Sequence, residues 1–431
     1  MSRAVIIHLI CIYFVFSISM LPFLSETAAQ EPAVRAGLAR IDITPEQPVQ
    51  MSGYAGRDGL SQGVHDSLSA RAVVFERDGR RLVLVSSDII GYYGESCREF
   101  REAICGKYGL SPGELFLSAI HTHAAPRITL DEENGHPNNV QYTRQLGGKL
   151  LDLVGEALQR TRPVVLSYGS GSSMVGVNRR EIFYDEKGNA RTWIGRNPDG
   201  VMDREVQVLK VTDTADRPLA VLFDYAVHST SLGWENYQIS GDVHGLAEQF
   251  IENYLGGDVI APAFAGASGD IDPWYRVLPG FRTKNGWIPE SVLLGTLLGE
   301  EVVHVLDEAE GIGEDPIETA FATLELPAKP AAEGDSTAQR SRIDLNVTLA
   351  RMGDLLFVGL GCEALCEIGL SIKAALPNLD VFVITHCNGT SGYLPPGHRY
   401  VEGGYEIQST PFAATAADIV IKEVVRMAHA L

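Results

Sequence analysis

Short apolar runs alternate with longer amphipathic stretches along the chain. "RLVLVSSD" (81–88), "LFLSAIHTH" (115–123), "LAVLFDYAVHS" (219–229), "VIAPAFAGASGD" (259–270), "DLLFVGLGCE" (354–363) and "DVFVITHCNG" (380–389) read as buried strands. "YTRQLGGKLLDLVGEALQRT", "GLAEQFIENYL", "SVLLGTLLGEEVVHVLDEA" and "TPFAATAADIVIKEVVRMAHAL" carry apolar residues at helical spacing. Strands alternating with helices predict an α/β fold, a mixed β-sheet core flanked by helices in a single large domain. "LPAKPAAEGDST" reads as a surface loop and "GSGSS" (169–173) as a turn. No repeat of 20–50 residues is visible, which excludes solenoids and propellers.

Nearly every predicted strand ends in a polar residue: Asp88, His121, His228, Asp270, Glu363 and Asn388. Open α/β sheets bind ligands at the carboxyl ends of their strands, so these groups are candidates to converge. In a strand, residues i and i+2 share a face, which sets His121 beside His123. That pair fits a metal site, an acid/base pair or a coincidence of two structural histidines. Two histidines and a carboxylate with an open position make a catalytic zinc set, and His121, His228 and Glu363 supply those types. Spacing alone does not bring them together, and an acid in a first helical turn is an equal reading of Glu363. H-E-x-x-H, G-x-S-x-G and the P-loop are absent. "SGDVHG" suggests that Asp242 caps the helix that follows, with His244 behind the site or on the surface.

Composition narrows the compartment and the partners. Of 431 residues, 45% are hydrophobic and 21% charged, as expected of a folded globular chain. The formal net charge of −20, with no basic tract, argues against a nucleic-acid partner. The N-terminus has Arg3, an apolar stretch, then Thr27-Ala28-Ala29, the pattern of a signal peptide over residues 1–29. An uncleaved membrane anchor is the alternative. Either way residues 33–431 are expected to be exported, periplasmic or secreted. Removal of Cys11 leaves five of six cysteines, an odd number that forbids a fully paired framework.

Several motifs, in order, resemble the neutral, non-lysosomal ceramidases. They are "GLARIDITP", "MSGYAGR", "GVHDSLSARAVVFE", "HTHAAP", "GVNRR", "PDGVMDREVQVLKV", "DYAVHSTSL", "GASGDIDP" and "SGYLPPGHRYVEGGYE". The resemblance runs from "AGLARIDITP" to "GGYEIQS" and is to the family's N-terminal catalytic domain. It implies a zinc-dependent amidohydrolase that cleaves the N-acyl bond of ceramide or a related lipid by attack of zinc-bound water. Zn2+ would be held by the matching positions His121, His228, Glu363 and Tyr393. His123 would be the general base, and Arg179 and Tyr405 would flank the substrate carbonyl. Peripheral membrane contact would come through the lipid substrate. The family's C-terminal immunoglobulin-like domain is expected to be missing. Its G-D-V-S-P serine is Asp272 here, and the asparagine after the proline is Trp274. A pocket-lining Asp272 would need a partner such as Arg179 or Arg180, since burying a lone carboxylate is costly. It would favour a hydroxyl-rich or cationic head group; bracing its own loop is the alternative. Two further readings stand beside this one: a zinc hydrolase of the same scaffold acting on a non-lipid amide or ester, and a non-catalytic zinc-bearing binding protein.

Overall fold

The apolar runs have a simple cause: they belong to strands covered on both faces. A computed structural model describes residues 34–275, 290–313, 315–330 and 341–431. The predicted signal segment and most of the "LPAKPAAEGDST" loop lie outside the described residues.

Three sheets hold the main strands, two of five strands and one of four, with smaller pairings beside them. Each sheet turns one face to a common core and the other to a pair of helices. In the first sheet, strands Ser69–Arg77, Arg80–Ser87 and Leu115–Ala119 send Val73, Phe75, Leu82, Leu84 and Phe116 to the common core. Their alternate residues Ala72, Val74, Val83, Val85 and Leu117 face helices Gly94–Tyr108 and Pro137–Gln159. In the second sheet, Leu209, Leu222 and Phe264 point to the common core, while Val208, Phe223 and Ala263 meet helices Asp242–Leu255 and Glu290–Leu306. In the third, Phe357, Phe382 and Ile384 point inward, and Val358, Leu360 and Val383 meet helices Cys366–Ala375 and Ala416–Ala428. Strands buried on both sides show unbroken hydrophobicity rather than period-two alternation.

Each sheet contains one parallel pair joined through a helix. Arg80–Ser87 pairs with Leu115–Ala119, Pro218–Tyr225 with Ala263–Ala265, and Leu355–Leu360 with Asp380–Ile384. Parallel neighbours require such a crossover, and it sends the ends of both strands to the same edge. The six polar residues singled out at strand ends all follow one of these six strands. Among the described residues no helix is long and apolar enough to cross a membrane.

Two local expectations are corrected. Gly169–Ser172 is not a turn but part of strand Val165–Ser172, paired along its length with Glu205–Thr212. The glycines are there for packing: a Cβ on Gly169 or Gly171 would press on Val305 or Glu301 of the covering helix. The strand before His121 also ends earlier, at Ala119, so the two histidines are not on a pleated strand.

A charged knot ties the first sheet to the helix of the second. Arg71, 1% exposed, bonds Glu248 at 2.5 Å and Glu252 at 2.7 Å, with Asp88 at 3.5 Å. Burial raises the carboxyls of Asp88 and Glu248 even with Arg71 beside them. The five described cysteines are free thiols, four of them buried. Arg71→Met should strand these carboxylates and cost about 3–5 kcal/mol of stability in urea unfolding at neutral pH. A carboxyl raised by folding favours the folded state only where it is protonated. The deficit should therefore shrink as pH falls toward about 4.

Candidate metal centre

His121, His228 and Glu363 each follow a strand of a different sheet, and the three side chains meet. Ile120 N bonds Ser87 O at 3.1 Å, and the chain then turns at His121, whose φ is +59°. A left-handed non-glycine residue costs roughly 1 kcal/mol or more. Here that turn replaces the expected strand pleat in setting His121 beside His123: their Nε2 atoms are 3.3 Å apart. The segment is held against the one carrying His228 by the Thr122–Ser229 bridge and by His123 N to Ser229 O at 3.0 Å.

The ring orientations separate two histidines from the third. His121 donates Nδ1–H to Ile90 O at 2.7 Å, and His228 donates Nδ1–H to Ser268 O at 2.7 Å. Their Nε2 lone pairs therefore turn toward Glu363 Oε2, at 3.6 and 3.7 Å. Histidines that bind a metal usually donate the other ring N–H to such an oxygen. His228 Nε2 and Glu363 Oε2 are buried with no hydrogen-bond partner. Ligands at zinc bond lengths on a tetrahedron are about 3.4 Å apart, so the spacing suits an ion between them. His123 differs, because its Nδ1 meets no partner and no tautomer is locked. Ligand atoms of His121, His123 and His228 nevertheless all lie within 4.8 Å of one another.

Burial, and after it the His121 and His228 rings, holds His123 well below the ordinary histidine value. Burial and then Arg179 push His228 down to about 4. Glu363 is opposed by burial, yet the histidines hold its carboxyl well below the usual range.

Tyr393 is placed by pairing with Glu363 in a short parallel bridge. Its hydroxyl accepts from Arg179 Nη2 at 3.2 Å, and its ring meets Tyr405 edge-on at 5.5 Å. Arg179 also bonds Gly269 O at 2.7 Å, Glu406 at 2.8 Å and Asp272 at 3.1 Å. Asp272 is thus buried against Arg179 rather than Arg180. Tyr405 is 45% exposed and lines a cavity of about 830 Å³ with Thr192, Trp193, Ile194 and Val401.

The remaining strand-end residues are structural. Asp270 accepts from Cys366 N and Asn178, and Asn388 bonds Leu117 N, Leu115 O and Thr348. Asp242 does not cap its helix: it is the first helical residue, after Gly241, and accepts from Val243 N and from Ser231 N and Leu232 N of the loop after His228. His244 is buried against Ser229 Oγ at 2.8 Å. His386 was not anticipated: its ring stacks on His121 with centroids 3.7 Å apart. It lies in the same apolar run as Asn388, two residues before it, so its position at a strand end was the available signal. Glu406 was missed as well, although "GGYEIQS" contains it.

His121, His123, Arg179, His228 and Asp272 fall in a stretch that known proteins share, and Glu363, Tyr393 and Tyr405 lie beyond it. Residues 34–273 match the family described as neutral/alkaline non-lysosomal ceramidase, N-terminal. The chain belongs to this family. It is 29% identical over 228 residues to a neutral ceramidase of Oryza sativa, a match covering 51% of this chain and 28% of that protein. It is 28% identical over 272 residues to a neutral ceramidase of Pseudomonas aeruginosa, covering 58% and 39%. The chain therefore spans less than half the length of these curated relatives. The crystal structure of the neutral ceramidase from Pseudomonas aeruginosa superposes with a TM-score of 0.77 at 19% identity, over 93% of this chain and 74% of that one. The mixed-sheet fold with flanking helices is that of the family.

Gly53, in the "MSGYAGR" motif, has φ +96°, and a Cβ there would lie 2.3 Å from Cγ of His123. Gly53→Ala should displace the His123 ring while leaving His121 and His228 in place. Histidine ring signals in NMR check this: those of His123 should move and the others should not.

Proposed function

We propose that this chain is an exported zinc amidohydrolase that opens the N-acyl bond of ceramide or a related lipid. The observation that carries the reading is the pair of carbonyl-anchored imidazoles, His121 and His228, aimed at the partnerless Glu363 oxygen. Together with Tyr393 they would hold the ion. Bound zinc supplies Lewis acidity, polarising a carbonyl and making water acidic near neutral pH.

The protein's own groups do the rest. His123 is neutral at physiological pH and its ring is not tied by a carbonyl, so its Nε2 can take a proton from the attacking water. The water oxygen adds to the amide carbon, the C–N bond breaks, and His123 returns the proton to the leaving nitrogen. The products are a fatty acid and an amine. Negative charge develops on the carbonyl oxygen, and the Tyr405 hydroxyl and the positive Arg179 stabilise it. The cavity beside Tyr405 offers aromatic and aliphatic walls for an acyl or alkyl chain. Family membership supports a lipid amide, and a related solved structure is a ceramidase complexed with C2.

One observation favours a second arrangement: the 3.3 Å between His123 and His121 also suits a third nitrogen ligand. Protein purified without added zinc should contain one tightly held zinc per chain. His123→Ala should keep that metal and lose about 10²–10⁴-fold in rate. Full hydrolysis by metal-free protein would sink the zinc reading, and loss of metal from the variant would make His123 a ligand.

Asp272 shapes the substrate side. Its carboxylate occupies Arg179 Nη1 and offsets the positive charge beside the carbonyl. Asp272→Ser should free Nη1 and raise kcat/KM for ceramide relative to a polar N-acyl amine. An unchanged ratio would leave Asp272 as a brace for its loop.

A further inference from the structure

Arg179 is almost fully enclosed, 4% exposed, and its guanidinium is committed to the protein on every side. Nε donates to Glu406, Nη1 to Asp272, and Nη2 to both Gly269 O and the Tyr393 hydroxyl. A guanidinium is a rigid planar fork, so fixing one edge fixes where the others point. Glu406, 1% exposed, fixes the Nε edge at 2.8 Å. Its second oxygen takes Arg180 Nη1 at 2.6 Å, and Arg180 is itself anchored to Gly403 O at 2.8 Å and to Glu402 at 3.2 Å. The carboxylate is therefore held at both ends and cannot follow Arg179 if the latter swings. Without it, Asp272 would be the only carboxylate bonded to Arg179 among the contacts described, and the fork would rotate toward Asp272 and away from Tyr393.

We infer that Glu406 is a positioning residue of the site: bridging Arg179 and Arg180, it aims Arg179 Nη2 at the Tyr393 hydroxyl and so sets the orientation of that phenol toward the metal position. The inference rests on the zinc hydrolase reading above. Glu406 touches neither substrate nor ion, and acts only through Arg179. Arg179 is pulled by two carboxylates, Asp272 on Nη1 and Glu406 on Nε, and only with both in place does Nη2 stay on Tyr393.

The test uses the cobalt(II)-substituted full chain, because cobalt reports its ligands in the visible spectrum where zinc is silent. Glu406→Asp keeps the charge but withdraws the carboxylate by one methylene, so it cannot reach both arginines. Its cobalt spectrum should differ from wild type, and kcat should fall about 10–100-fold while KM moves less than about 3-fold, the size expected for a residue behind a ligand. Glu402→Gln is the control for a merely structural charge balance. It removes a charge beside Arg180 but leaves Arg180 on Gly403 O and Glu406 on both arginines, so its spectrum should match wild type. A wild-type spectrum and kcat in Glu406→Asp would overturn the inference, as would an equal disturbance in Glu402→Gln. Wild-type protein that takes up no cobalt would instead defeat the zinc reading itself.

Discussion

Three sheets bury both faces, one against helices and one against a common apolar core, and this leaves their strands only the ends as places for polar groups. Each sheet contributes a parallel pair whose two strands finish on the same edge. Because the sheets surround one core, those edges face a common point. His121, His228 and Glu363 come from three different sheets and meet there. No single helix or hairpin supplies the set. Its geometry is inherited from the packing of Phe116, Phe357, Phe382, Leu222 and Phe264 far below it.

That inheritance explains why the site tolerates costly local features. His121 and His386 both have left-handed backbone, and their rings stack. Residues in such conformations persist only where the surroundings over-determine them. Here the surroundings are ladders of several strands and a bridge between two of the sheets, Ser118 to Cys387. The price in local strain is small against the apolar area these elements bury. Around this rigid base the polar groups divide by role. Imidazoles tied to carbonyls are fixed in tautomer, whereas His123 is not. The arginine pair is wedged between carboxylates, and Tyr405 stands at the rim facing the cavity.

Much of this was readable from the chain because strands buried on both faces are hard to mistake. The apolar runs located the six strands of the three parallel pairs, and the polar residue at each end gave a candidate set that contained His121, His228 and Glu363. What the pattern could not carry was the third dimension. Asp88, Asp270 and Asn388 occupy equivalent ends but serve an arginine, a backbone amide with an asparagine side chain, and a threonine. Periodicity says where a strand ends and not which way the chain turns next, so the pleat argument for His121 and His123 gave the right neighbours through the wrong geometry. "GSGSS" misled because glycines that admit a helix against a strand look like glycines that make a turn. Glu406 and His386 touch Arg179 and the His121 ring, and nothing local in the sequence marks such contacts.

The free thiols carry a last consequence. Thiolate is the reactive form of cysteine, and burial pushes Cys97, Cys362, Cys366 and Cys387 upward, away from it. None of the five described cysteines is bridged to another. The cohesion of the described fold is thus indifferent to the redox potential around it. The described fold needs no disulfide to be complete. Once folded, the chain keeps Cys362, Cys366 and Cys387 from glutathione and peroxide, and the half-buried Cys105 is the described thiol most open to them.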